Sequence, residues 1–279
     1  MSREETSARE EVDRRFLVGL ARAFAGAILF ALPLLMTMEM WSLGFHMERS
    51  RLLILLVVQL PLLVGLSYMS GFEPTFDLVQ DAVDACVALA VGFASSVVLL
   101  ALLGVLGRGM SASEVLGKVA LQAVPASMGA LLAQSQLGGE KTEEEQEERR
   151  TTYASELFLM VVGALFFGFN MAPTEEIVLI AHRMRAWQVV LLALLSLAVL
   201  HAFVYAVGFQ GQHEMGDEGP VSTFFRLTIV GYALVLLVSA YVLWTFGRFD
   251  GNALLPTATA IAVLSFPAAV GAAAARLVL

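Results

Sequence analysis

Residues 163–177 read GALFFGFNMAPTEEI, and residues 26–40 read GAILFALPLLMTMEM. Laid over one another without a gap, they pair Gly26 with Gly163, Phe30 with Phe167, Thr37 with Thr174 and Glu39 with Glu176. The same register pairs Met47 with Met184, Tyr68 with Tyr205, and Gly71-Phe72 with Gly208-Phe209. Further along, VPASMGALLA from Val124 answers FPAAVGAAAA from Phe266. Matched leucines mean little in an apolar chain, but Pro, Gly, Thr and Glu carry weight here. The chain reads as one unit written twice.

Composition names the solvent of that unit. The chain is 58% hydrophobic and 15% charged, whereas a soluble domain is about a quarter charged. Apolar stretches able to cross a bilayer, about 20 residues each, fall at Phe16–Phe45, Leu52–Gly71, Ala82–Leu106, Val115–Leu137, Leu157–Ala181, Trp187–Phe209, Phe224–Phe246 and Ala253–Leu279. The expected fold is therefore an all-α membrane protein of about eight transmembrane helices, arranged as two parallel four-helix repeats. A charged amphipathic segment (1–15) precedes the first repeat (16–137), and a charged linker (138–153) precedes the second (154–279). Gly138-Gly139 can end one helix, and Thr142 with Glu145, like Ser7 with Glu10, has the spacing of a capping box. An even number of spans per repeat puts both halves in the same orientation, related by an axis along the membrane normal. The two Thr-x-Glu pieces would then approach one another near that axis.

Several chemistries have no support. The single cysteine, Cys86, excludes an internal disulfide framework. The charged first fifteen residues and the long apolar run after them do not read as a cleavable signal. The net charge of −8 is concentrated in tails and loops and suits no nucleic-acid partner. There is no phosphate-binding glycine loop, no His-Glu zinc helix and no Gly-x-Ser-x-Gly. The only lysines are Lys118 and Lys141, so no buried lysine is offered to a retinal. Met36, Met38 and Met40 alternate, which scatters them around a helix and argues against a copper site. No cofactor and no enzymatic activity are expected. Lys and Arg are almost evenly divided between the two sides; the first helix decides for cytoplasmic termini.

Carboxylates in apolar runs are the candidates for function, because each costs on the order of 2.5 kcal/mol or more at mid-bilayer. Glu39, Glu175 and Glu176 form the first group, expected inside the apolar zone, with Pro173 bending or opening the helix beside them. Asn170, Thr37 and Thr174 would add neutral oxygens. Asp77, Asp81 and Asp84 fall at i, i+4 and i+7, on one helix face, and form an acidic approach. His201 is a lesser candidate for proton relay, read more simply as a hydrogen bond between helices. His46 and His182 read as interfacial. Pro125 and Pro267, with Ala126, Ala130, Ala268 and Ala272, would let their helices pack closely.

PLLMTMEMW from Pro33 and NMAPTEEIVLIA from Asn170 resemble a bacterial family of integral membrane proteins of unknown function. The resemblance implies a multi-pass protein of the inner membrane and brings no activity or site residues with it. The residues themselves lead to a cation transporter or channel. Its carboxylates Glu39, Glu175, Glu176, Asp81 and Asp84 would bind a hard cation or exchange a proton. Membrane lipid, cations or protons, and a second copy of the chain are the expected partners. The alternatives are a non-transporting sensor or scaffold and, behind it, an intramembrane hydrolase.

Overall fold

In hydrocarbon an apolar segment has no water to satisfy its backbone, so each long run must close its hydrogen bonds within itself as a helix. The computed structural model describes residues 3–70, 78–137, 152–206 and 224–278, and no strand occurs among them. Among the described residues ten α-helices follow in order: α1 (Arg3–Leu35), α2 (Met38–His46), α3 (Arg49–Ser70), α4 (Leu78–Leu102), α5 (Ala112–Leu137), α6 (Tyr153–Met171), α7 (Glu176–Arg183), α8 (Ala186–Ala206), α9 (Val230–Thr245) and α10 (Leu254–Val278). A π-helical turn, Phe224–Ile229, leads into α9. Eight helical segments among the described residues are long and apolar enough to cross a membrane, in the order the sequence predicts. Asp77, Thr142 and Glu145 lie outside the described residues. Ser7 lies within α1, past its first turn.

Two expected helices are each divided in two. The first apolar run does not continue to Phe45: α1 ends at Leu35, and Thr37, extended at φ −102° and ψ 128°, starts α2. The fifth does not continue to Ala181: α6 ends at Met171, and α7 begins at Glu176. The break after α6 has a direct cause. Pro173 has no N–H to continue the ladder and clashes with the preceding turn. The freed Met171 carbonyl accepts from the Thr174 amide at 3.2 Å and from the Thr174 hydroxyl at 2.9 Å. The short helices end alike, at Met47 and Met184, both extended, with their amides bonded four residues back to Leu43 and Ile180.

The chain forms two compact units. Unit 1 comprises Met1–Met36 and Leu56–Lys141; unit 2 comprises Thr37–Leu55 and Thr142–Leu279. Within unit 1, α5 is the core helix, buried from Val119 through Ala133 and packed against α1 and α4. Gly26 of α1 lies against Gly129 and Ala133 of α5, so close that a Cβ would overlap the Gly129 carbonyl. Within unit 2, α10 holds the centre against α6, α8 and α9. Gly163 of α6 meets Gly271 and Ala275 of α10 with the same intimacy. Small residues let backbones approach where lipid offers no hydrophobic drive toward helix pairing. Ala126, Ala130, Ala268 and Ala272 are all buried in these two core helices.

Helices α4 and α9 finish with the same device. Gly104 and Gly247 adopt φ of 69° and 72°, the left-handed conformation that only glycine takes without strain. The following amides, of Val105 and Arg248, reach back to the carbonyls of Leu100 and Leu243 at 2.9 Å each. These are Schellman ends. They differ in what the next side chain is: valine in unit 1, arginine in unit 2. The three tryptophans, Trp41, Trp187 and Trp244, all belong to unit 2. They stand in α2, at the start of α8 and at the end of α9, as interfacial anchors do.

Candidate functional site

The acidic stripe of α4 lies in unit 1 and points into protein. Asp81 is 1% exposed, and Asp84 one turn on is half-buried. The Ser67 hydroxyl of α3 stands 3.4 Å from Asp81 Oδ1 and 3.4 Å from Asp84 Oδ2. One hydroxyl proton serves one carboxylate at a time. Among the described residues no third His, Cys, Asp or Glu completes a metal-binding cluster. A carboxylate pair with a hydroxyl, set in the first turns of a membrane helix, suits a proton or a hard cation.

Eight residues nearer the start of α3, Gln59 is 3% exposed and donates its amide to the Val124 carbonyl and to Ser127 Oγ of α5, both at 3.1 Å. Gly92 of α4 is flush with the same place: a Cβ there would lie 2.9 Å from the Ser127 amide nitrogen and 2.9 Å from the Ala123 oxygen. Neither Gln59 nor Ser67 stands out in the sequence. Only their hydrogen bonds to α4 and α5 reveal them.

The glutamates fall in unit 2 and are arranged differently from the expectation. The apolar span ends at Met171, so Glu175 and Glu176 follow it, and both are exposed. Glu39 is half-buried. Glu39 and Glu176 occupy the first turns of α2 and α7, where the positive helix end favours an acid. The Glu176 carboxyl is held below the ordinary carboxylate range, chiefly by its own backbone N–H, then by the Thr174 hydroxyl and by the nearby Arg248. The apolar residues beyond them, Ile177 and Ala181, are one face of a short amphipathic helix. Thr37 is the N-cap residue of α2. Asn170 donates to the Phe166 carbonyl at 2.7 Å, and its Oδ1 is buried without a hydrogen bond. His201 Nδ1 lies 2.9 Å from the Thr228 hydroxyl, as expected of a contact between helices. His46 and His182 bond to carbonyls of their own helices. Cys86 is exposed.

Unit 2 also contains a charged clasp that sequence reasoning missed. Arg51, in the first turn of α3, makes two parallel bonds to Asp250, Nη1 to Oδ2 at 2.9 Å and Nη2 to Oδ1 at 2.7 Å. It also donates to the Trp244 carbonyl at 3.1 Å, lies 5.4 Å from that ring's centre, and has Glu48 at 3.3 Å. The neighbouring Arg248 donates to the carbonyls of Ala172 and Pro173, capping the negative end of the broken α6. The turn between α9 and α10 is thereby bonded to the α2–α3 corner and to the α6–α7 break. The signal was a pair of short charged turns, HMERSR and GRFDG, whose members are 199 positions apart.

The clasp has a pH signature. Arg51 holds the Asp250 carboxyl below its ordinary range, mainly through their hydrogen bond, against a smaller opposing effect of burial. A depressed folded-state value contributes stability above the unfolded value, near 4, and loses it as pH falls through the folded value. Asp250 is 62% exposed, so solvent screens the effect. Wild type is therefore expected to melt modestly above D250N at pH 7 and to converge with it from about pH 4 downward. Parallel melting curves at every pH would remove Asp250 from the account.

No curated protein and no solved structure matches the chain. The model of the family described as "Putative integral membrane protein (DUF2391)" matches residues 19–279, and the chain belongs to that family.

Proposed function

We propose that this multi-pass membrane protein passes protons or small hard cations, and that Asp81 and Asp84 are the residues that receive them. The observation that carries the reading is the burial of Asp81 in a membrane helix, with Asp84 beside it and both facing one serine hydroxyl. Intramembrane carboxylates are costly and mark ion or proton pathways. Glu39 and Glu176 have the helix-end explanation given above and Glu175 is exposed beside them, which leaves the three a supporting role as acidic surface that attracts cations. We propose as well that the protein resides in a bacterial inner membrane with both termini cytoplasmic, as the first helix favours.

Flux of protons, Na⁺ and K⁺ into liposomes containing purified protein tests this. D81N is expected to reduce the flux tenfold or more and D84N to reduce it measurably, whereas E39Q and E176Q change it less than twofold. No flux under any gradient, or flux that D81N leaves unchanged, would overturn the assignment. If deleting residues 1–13 or 140–148 removed a cytoplasmic partner while every carboxylate variant was silent, the scaffold reading would take its place.

A further inference from the structure

Resting on that reading, we infer that the layer formed by Gln59, Ser127 and Gly92 is the barrier of the pathway in unit 1, with Gln59 the residue that sets what passes. The geometry is consistent from both walls. Ser67 and Gln59 are eight residues apart on α3, and Asp84 and Gly92 are eight residues apart on α4, about 12 Å along each helix. Ser67 meets Asp84, and eight residues on along α4 and eight back along α3 the two paths meet again at one residue, Ser127 of α5, which Gln59 and Gly92 both approach. There Gln59 bonds to Ser127 and Gly92 is pressed against the Ser127 backbone. The acids are thus followed about two helical turns along α3 and α4 by a polar layer.

Its chemistry suits a barrier better than a plain helix contact. Ser127 is fully buried and donates to the Val124 carbonyl at 2.9 Å, the same carbonyl that Gln59 serves. The Gln59 amide therefore sits where backbone and hydroxyl oxygens would otherwise be available to a cation, and its two donor hydrogens occupy them. Removing the amide uncovers the Ser127 hydroxyl oxygen and leaves space. Replacing it with an apolar side chain of similar size fills the space with something no cation can bind. A purely structural glutamine would give two variants that differ from wild type in stability alone. A barrier gives variants whose fluxes move in opposite directions.

The experiment compares Gln59→Ala and Gln59→Leu with wild type and D81N, using proton, Na⁺ and K⁺ gradients in liposomes, with gel filtration and thermal unfolding to verify folding. The expected result is a severalfold rise in flux for Gln59→Ala, with weaker discrimination between Na⁺ and K⁺, and a severalfold fall for Gln59→Leu. Ser127→Ala, a smaller change in the same layer, is expected to shift flux in the direction of Gln59→Ala if the larger variant fails to fold. Flux that needs Asp81 but is the same in all three layer variants overturns the barrier and leaves the reading of the acids intact. Flux absent from wild type and from every variant overturns both.

Discussion

Gly163→Leu is expected to leave little folded protein. A Cβ at Gly163 would overlap the Gly271 carbonyl and lie 2.7 Å from Ala275 Cβ, and in the reverse direction a Cβ at Gly271 would lie 2.8 Å from Phe167 Cβ. The obstacle on the far side is backbone, which cannot rotate aside as a long side chain can. The seam between α6 and α10 must therefore separate, and α10 is the helix against which the rest of unit 2 is arranged. Overpacking costs roughly 1–3 kcal/mol where side chains can yield. Here about 3 kcal/mol or more is expected, among the largest effects of a single substitution. Gly107→Ala is the control: its Cβ would meet only Met110 Cε, at 3.9 Å. It should stay within about 0.5 kcal/mol of wild type. Thermal unfolding in detergent and gel filtration give the comparison, and equal stability of the two variants would contradict the seam.

Arg248→Leu has the next largest expected effect. Its guanidinium donates to the carbonyls of Ala172 and Pro173, which the proline break leaves without helical partners. Ala172 is fully buried, so water cannot simply replace the bond there. Hydrogen bonds to a charged group contribute about 1.5–3 kcal/mol each. Because Arg248 is itself half-exposed, a loss of about 2 kcal/mol is expected for the pair together. Arg248→Lys should recover part of it, since an ammonium lacks the planar fork that spans two oxygens. Arg248→Leu melting within about 0.5 kcal/mol of wild type would show that the capping is incidental.

The sequence discloses what depends on long-range composition and hides what depends on pairing. The eight spans are legible because each helix must satisfy its own backbone within an apolar run. The break at Pro173 is legible because a missing N–H is a local fact. The break at Met36–Thr37 is not, because Pro33 lies inside α1 and nothing in the next three residues announces an end. Glu176 looked deeply placed because the apolar run continues past it, yet those later residues are one face of α7, and the bilayer need not follow them. The spacing of Asp81 and Asp84 marks a helix face, but that Ser67 faces them is visible only in the folded chain. Arg51 and Asp250 were each readable as an ordinary loop charge. The sequence match between the two halves aligns Gly26 with Gly163, and each of these glycines meets a glycine of the core helix in its own unit.

Residues 37–55 belong to unit 2, and Trp41 with them, so unit 1 contains no indole at all. Ultraviolet emission excited near 295 nm therefore monitors one half of the molecule and is blind to the other, whereas far-ultraviolet circular dichroism counts helices in both. Coincident melting curves from the two signals would mark a single cooperative body, and a dichroic transition without an optical counterpart would mark loss of the aspartate-bearing half alone.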